Sequence, residues 1–314
     1  MKKHSQFTKF KAVLGLNEFL DFVKKDWEQY YIFILTFLTL IISINYYFDL
    51  EDSYLDLHAN TLKGVLLFFL QNLCIYLLPL FLMFKNPAIF KAIKNYRFWT
   101  VLLLALLCLS VYQSLNLYNL FFPEWYSKNY YNQKVGARFN SLSKYLFILV
   151  FLGIIIGRSK EKMFGFLNFD IKYKTYLGFL LVMLPLIIFA STQQDFLDTY
   201  PKLKQINVNL GEYINQLLLY EPLYLADFIM LEWFFRGFMV LFFARYISQK
   251  SVILVALVYC SFHFGKPILE CISSFFGGYL LGYIVYKSKS IWGGVIVHMG
   301  IAFLVDVFAF YSVF

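Results

Sequence analysis

The chain has 314 residues, 60% hydrophobic and 15% charged, with 38 Phe, 25 Tyr and a formal charge of +9; its mean hydropathy is +0.62. A soluble domain is about half apolar and about a quarter charged, so a soluble globular enzyme, a disordered chain and a secreted disulfide scaffold are excluded. The apolar runs are too long for barrel strands, which leaves an all-α polytopic transmembrane bundle. Its basic residues sit in short gaps between those runs, the pattern of a cytoplasmic membrane face and not of a nucleic-acid surface.

In chain order, the N-terminal stretch carries Lys2, Lys3, Lys9 and Lys11 without an early apolar core and small-residue cleavage site. The first span is therefore expected to act as its own insertion signal. A span needs about 20 apolar residues. That criterion places helices near 30–48, 64–84, 98–118, 143–157, 176–191, 222–245, 251–264, 267–286 and 291–312, nine spans, with eight the nearest alternative. With the N-terminus inside, 19 of the 28 Lys and Arg fall on the cytoplasmic side and 8 on the other, as positive loops resist translocation. The acidic stretch Asp49, Glu51, Asp52 and Asp56 then falls outside, and the polar stretch 192–221 is expected to cap the outer face. Cys74, Cys108, Cys260 and Cys271 lie in or at the ends of apolar segments and read as packing residues.

The chain divides in character into a region 1–170, whose spans are almost free of charge, and a region 171–314, in which charged and imidazole groups enter the apolar runs. An ionisable group inside a span costs about 3 kcal/mol at the bilayer centre and by default faces the bundle interior at a functional site. The set is Asp227, Glu232, Arg236, His263, Glu270, His298 and Asp306. Glu232 and Arg236 stand four apart and share a helix face. At 1.5 Å per residue, Glu232 and His263 come out at similar depth, roughly 20 and 18 Å from the cytoplasmic end, close enough to share a water. His298 comes out shallower, at roughly 10 Å.

The segments LEWFFRGF, YCSFHF, SSFFGGYLLGY and SIWGGVIVHMG together resemble the CPBP family of intramembrane proteases, the type 2 CAAX prenyl endopeptidases and bacteriocin-processing enzymes also called the ABI family. The resemblance covers about 175–314 and makes the four N-terminal spans a variable extension. It implies an intramembrane endopeptidase with its catalytic water in a cavity between helices. The family's Glu-Glu-x-x-x-Arg falls on Leu231, Glu232 and Arg236, its Phe-x-x-x-His on Tyr259 and His263, and its His-x-x-x-Asn/Asp on His298 and Ala302. Two departures follow: Leu231 stands where the family carries the water-activating glutamate, and Ala302 where it carries an oxyanion donor. Because one residue turns a helix by about 100°, Glu232 does not trivially replace position 231. Glu270, Asp306 and Tyr259 are the auxiliary candidates.

The reading is an endopeptidase acting on a membrane-associated peptide or protein. Glu232 serves as base or orienting acid, held ionised by Arg236, with His263 its partner on the water and His298 an oxyanion donor. Two His and a Glu could also hold zinc, but HExxH is absent and the estimated depths separate the imidazoles, so neither zinc nor another cofactor is favoured. The alternatives are a catalytically degenerate scaffold of the same fold that binds peptides without cutting them, and a proton-coupled transporter. The second is disfavoured because transporters usually show paired broken helices in two related halves. Phe-, Lys-, Asn-, Tyr- and Ile-rich composition suggests an AT-rich, bacterial source and hence the inner membrane.

Overall fold

The computed structural model describes residues 16–27, 30–156, 164–169, 173–204 and 208–313. The basic N-terminus and the basic stretches at 158–163 and 170–172 lie outside the described residues. Helices run as α1 Leu16–Asp26, α2 Tyr30–Phe48, α3 Leu62–Leu82, α4 Pro87–Ala92, α5 Tyr96–Ser114, α6 Leu117–Phe121, α7 Pro123–Ser127, α8 Tyr130–Ile156, α9 Tyr173–Ala190 and α10 Gln194–Thr199. They continue as α11 Leu210–Glu232, a π-helical stretch Trp233–Phe242, α12 Phe243–Ile247, α13 Lys250–Ser261, α14 Ile268–Ser288 and α15 Trp292–Val313. No strand occurs among the described residues, so the fold is an all-α bundle.

Six of these helices (α2, α3, α5, α8, α14 and α15) are long and apolar enough to cross a membrane, and two shorter apolar helices, 175–190 and 250–261, stand among them. Large apolar side chains such as Phe33, Leu70, Phe147, Leu181 and Leu186 are exposed along the helices. In water such a surface would drive aggregation; in a bilayer it faces acyl chains. The chain is an integral membrane protein.

α13 is the centre of the bundle. Every residue from Lys250 to Ser261 is buried, as a helix apolar on all sides must be, and it packs against α3, α14 and the π stretch. Small residues set the α13–α14 spacing: a Cβ on Gly278 would lie 3.0 Å from the Tyr259 ring, and one on Gly282 3.0 Å from Val252. α15 packs on α9 and α11, and α11 on α8.

The 192–221 stretch differs from its expected form as a long cap. It holds α10, and Asn209 begins a new helix, its side chain accepting the Glu212 N–H at 2.9 Å. The sixth rod thus starts at Leu210 and not near 222, because Asn-x-x-Glu supplies a helix start ahead of the apolar run. The region 1–170 is also less uncharged than its composition implied. Arg138 and Lys144, read as loop cations, lie inside the long helix α8. Lys144 Nζ donates to the Tyr112 and Leu115 carbonyls at 2.5 and 2.7 Å, satisfying the free carbonyl end of α5.

Candidate active site

The π-helical stretch builds the site. Its i→i+5 turns are wider than α turns and begin directly after Glu232, and all ten residues from Trp233 to Phe242 are buried. Gly237 permits the close approach of the chain at Phe164, whose carbonyl oxygen would lie 2.6 Å from a Cβ there. Glu232 is fully enclosed, at 0% exposure, and Arg236 is 1% exposed.

Around Glu232 three helices converge. Arg236 Nη1 lies 3.2 Å from Glu232 Oε1, and His298 Nδ1 on α15 is 2.8 Å from the same oxygen. A carboxylate paired with a guanidinium only accepts, so His298 Nδ1 carries a proton and donates to Glu232 Oε1. Tyr259 OH on α13 meets Nε2 at 3.1 Å. The Arg236 guanidinium covers the Tyr259 ring at 3.9 Å, a cation–π contact that fixes both groups. The result is a continuous chain, Arg236–Glu232–His298–Tyr259, in an enclosed site. Ion pairs so deeply desolvated contribute little net stability; their value is in holding one geometry.

Glycine makes this approach possible. A Cβ on Gly294 would stand 2.5 Å from Glu232 Oε2, so the Gly-Gly start of α15 lets the carboxylate lie against the helix backbone. Phe228 on α11 walls His298 from the other side at 4.4 Å between rings. Glu232 Oε2 and both Arg236 Nη1 and Nη2 are buried and have no hydrogen-bond partner in the protein. Glu232 Oε2 can accept from a water, and the Arg236 guanidinium can donate to a water or a carbonyl oxygen.

The structure places His298, and not His263, directly on Glu232. The depth arithmetic separated Glu232 and His298 by about 10 Å; the π turns below Glu232 shorten its rod and close part of that gap, and the rest lies in how the two helices are set against each other. His263 lies just past the end of α13, where its Nδ1 meets the Tyr259 carbonyl at 2.9 Å and its ring packs edge-on against Tyr259 at 4.6 Å. A carbonyl only accepts, so His263 Nδ1 is protonated and Nε2 is left as an acceptor. The two imidazoles thus flank one tyrosine.

Glu270 and Asp306 are engaged elsewhere. Tyr200 OH donates to Glu270 Oε1 at 2.9 Å, Lys266 Nζ is 4.0 Å from that oxygen, and Asp306 Oδ1 accepts the Lys202 N–H at 3.0 Å. Asp227 is not solvated but paired, with Arg138 Nη1 at 2.9 Å. Leu231 is buried in the main apolar core, and Ala302 packs in a second cluster with Tyr213, Tyr220 and Tyr224. No group of three or more His, Cys, Asp or Glu side chains able to hold a metal ion occurs among the described residues. Arg138 is the residue that inspection of the second region alone misses. The signal was present: Asn132, Asn140, Ser141 and Lys144 are buried and recur at helical spacing, which marks an inward polar face continuing above the 143–157 run.

No curated protein matches this chain, and no solved structure matches it. A protein-family model does, described as Type II CAAX prenyl endopeptidase Rce1-like. The matched segment contains Glu232, Arg236, Tyr259, His263 and His298, the residues on which the resemblance to the CPBP proteases was read. The resemblance is therefore upheld over the part of the chain that builds the site: residues 214–304 are similar to the type II CAAX prenyl endopeptidase, Rce1-like, family.

Proposed function

We propose that this protein is an intramembrane endopeptidase that hydrolyses a peptide bond in a membrane-associated peptide or protein. The observation that carries this reading is the buried Arg236–Glu232–His298–Tyr259 chain inside the segment that matches a protease family. His298 Nε2 takes a proton from the attacking water as its oxygen bonds to the carbonyl carbon, and later gives that proton to the leaving amine. Glu232 fixes the Nδ1–H tautomer and stabilises the imidazolium, the role a buried carboxylate plays beside a catalytic histidine. Tyr259 OH, freed from Nε2 as that nitrogen is protonated, donates to the developing oxyanion, and His263 Nε2 helps hold the water. This assignment makes His298, expected from the sequence as an oxyanion donor, the base on the water, with Glu232 as its orienting acid. No metal or other cofactor enters it. The bacterial inner membrane with a cytoplasmic N-terminus is the proposed setting.

A scaffold without catalysis is the competing reading, and the apolar surroundings of Leu231 and Ala302 favour it. The deciding experiment offers purified protein in proteoliposomes a panel of membrane-anchored peptides. Cleavage by the wild type is expected to fall about 10²–10⁴-fold in Glu232→Gln and His298→Ala. Cleavage that survives both substitutions removes these residues from the mechanism; peptide binding without cleavage identifies a scaffold.

A further inference from the structure

Above the site, toward the C-terminal end of α15, a cavity of about 200 Å³ opens between α11 and α15. Two of its lining residues are acidic, Glu221 and Asp306, and its walls are largely aromatic, with Tyr213, Phe303, Phe310 and Tyr311. Phe303 and Tyr311 are exposed and form the mouth. Asp306 is only 5% exposed. Its Oδ1 accepts the Lys202 N–H, but Asp306 Oδ2 and Glu221 Oε2 are buried without any hydrogen-bond donor.

Both carboxyl groups line this one cavity, and no ion pair to either is formed among the described residues. The nearby lysines form no ion pair with them: Lys266 Nζ lies 4.0 Å from Glu270 Oε1 and Lys202 Nζ over the Tyr200 ring at 4.0 Å, although the charge of both still acts on Asp306. Adjacent carboxylates in a low-dielectric site repel unless a cation or a shared proton lies between them. Aromatic walls add cation–π attraction for a positive guest. A cavity of this size suits one side chain and is below the range of whole-ligand pockets.

Register ties the cavity to the catalytic chain. On α15 Asp306 follows His298 by eight residues, and on α11 Glu221 precedes Glu232 by eleven, so the carboxyl pair lies roughly 12 to 16 Å along the axes from the Glu232–His298 contact. Eleven residues are close to three whole turns, which places Glu221 and Glu232 on one face of α11. Between the two levels Tyr224 packs on Phe228 at 5.2 Å and Phe228 on His298 at 4.4 Å, forming a continuous aromatic wall. An extended peptide rises about 3.3 Å per residue, so about four residues span the gap.

We propose that this cavity is a specificity subsite that receives a Lys or Arg side chain of the peptide substrate, about four residues from the bond that is cut. The proposal rests on the endopeptidase reading for the words "bond that is cut", while the recognition of a cationic side chain stands on the cavity alone. The test uses the full-length chain in lipid nanodiscs and membrane-anchored fluorescent peptides, neutral except for one Lys scanned along the sequence. Binding is measured on the Glu232→Gln protein, and cleavage on the wild type. Lys at one position is expected to tighten binding about tenfold over the all-neutral peptide. That ratio is expected to drop to about one when Glu221→Gln or Asp306→Asn is added, and to persist with Asp306→Glu.

Because the ratio is taken within each variant, a partly unfolded sample does not imitate its loss. A Lys advantage absent at every position, or one that survives both neutralising substitutions, overturns the proposal. So does stabilisation of the wild type by calcium or potassium chloride that is lost in the two variants while Lys peptides bind no better, since the cavity is then an inorganic cation site. A Lys advantage in binding with no cleavage of any peptide upholds the subsite and removes the protease reading, so the two failures are distinguishable.

Discussion

At residue scale the site departs at one ring from the pattern of the family it resembles. Tyr259 stands where the family carries phenylalanine, and it is the hydroxyl, absent from phenylalanine, that reaches His298. Ala302, packed among tyrosines, supplies no donor, so under the proposed mechanism the oxyanion would be left to Tyr259. Tyr259→Phe is expected to keep the ring packing and lower kcat about 10²-fold with KM little changed, the usual cost of losing one such donor. Measured kcat within a factor of three of wild type would remove Tyr259 from the chemistry. A second residue-scale expectation concerns pH. Asn45 and Tyr46 on α2 hydrogen-bond the carbonyls of Phe264 and Lys266, and the acidic turn after α2 abuts Gly265. There burial, and next the Asp56 carboxylate, push the Glu51 carboxyl from 4.5 up to about 8. A raised carboxyl means that the folded chain binds more protons than the unfolded one, so this contribution is full below about pH 4.5 and is lost as pH rises through about 8. Tm is expected to fall between pH 5 and 9, and Glu51→Gln to flatten that slope; an unchanged slope refutes it.

At the scale of the element, the decisive feature is the change of helical period at Glu232. In a regular α-helix Leu231 and Glu232 point about 100° apart, and an acid one position late would miss the site that the family fills. Here the wide turns begin at Trp233, Leu231 faces apolar packing, and Glu232 faces α15. The Gly-Gly start of α15 completes the fit. Gly294→Ala would ordinarily stabilise a helix interior by about 1 kcal/mol. Its methyl instead meets the Glu232 carboxylate at 2.5 Å, and because that atom ends a flexible side chain, the carboxylate moves while the fold persists. The variant is expected to melt within a few degrees of wild type and to lose about tenfold or more in kcat/KM, as misplacement by about 1 Å costs. Full activity would show that the carboxylate position is not critical.

At the scale of the whole molecule, the region 1–170 is part of the framework around the site. α3 packs on α13 and α8 on α11, and Arg138 of α8 holds Asp227 of α11 at 2.9 Å while lying 5.4 Å over the Tyr224 ring. Arg138→Ala leaves a buried carboxylate without its cation and is expected to cost about 3 kcal/mol. Adding Asp227→Asn should recover much of that loss; thermal unfolding of the two variants measures it, and strict additivity would deny the coupling.

What the sequence determined alone was the all-α membrane class, the approximate places of most apolar helices but not their bounds, the Glu232–Arg236 pair, and a family resemblance carried by Glu232, Arg236, Tyr259, His263 and His298. Each rests on composition or on spacing along one helix, which local periodicity encodes. Which imidazole meets Glu232, where Arg138 goes, and which way Leu231 and Glu232 face were decided by the tertiary structure. These depend on how far each helix slides against its neighbours and on a local change from α to π turns, and packing between segments distant in sequence, not the segments themselves, sets both.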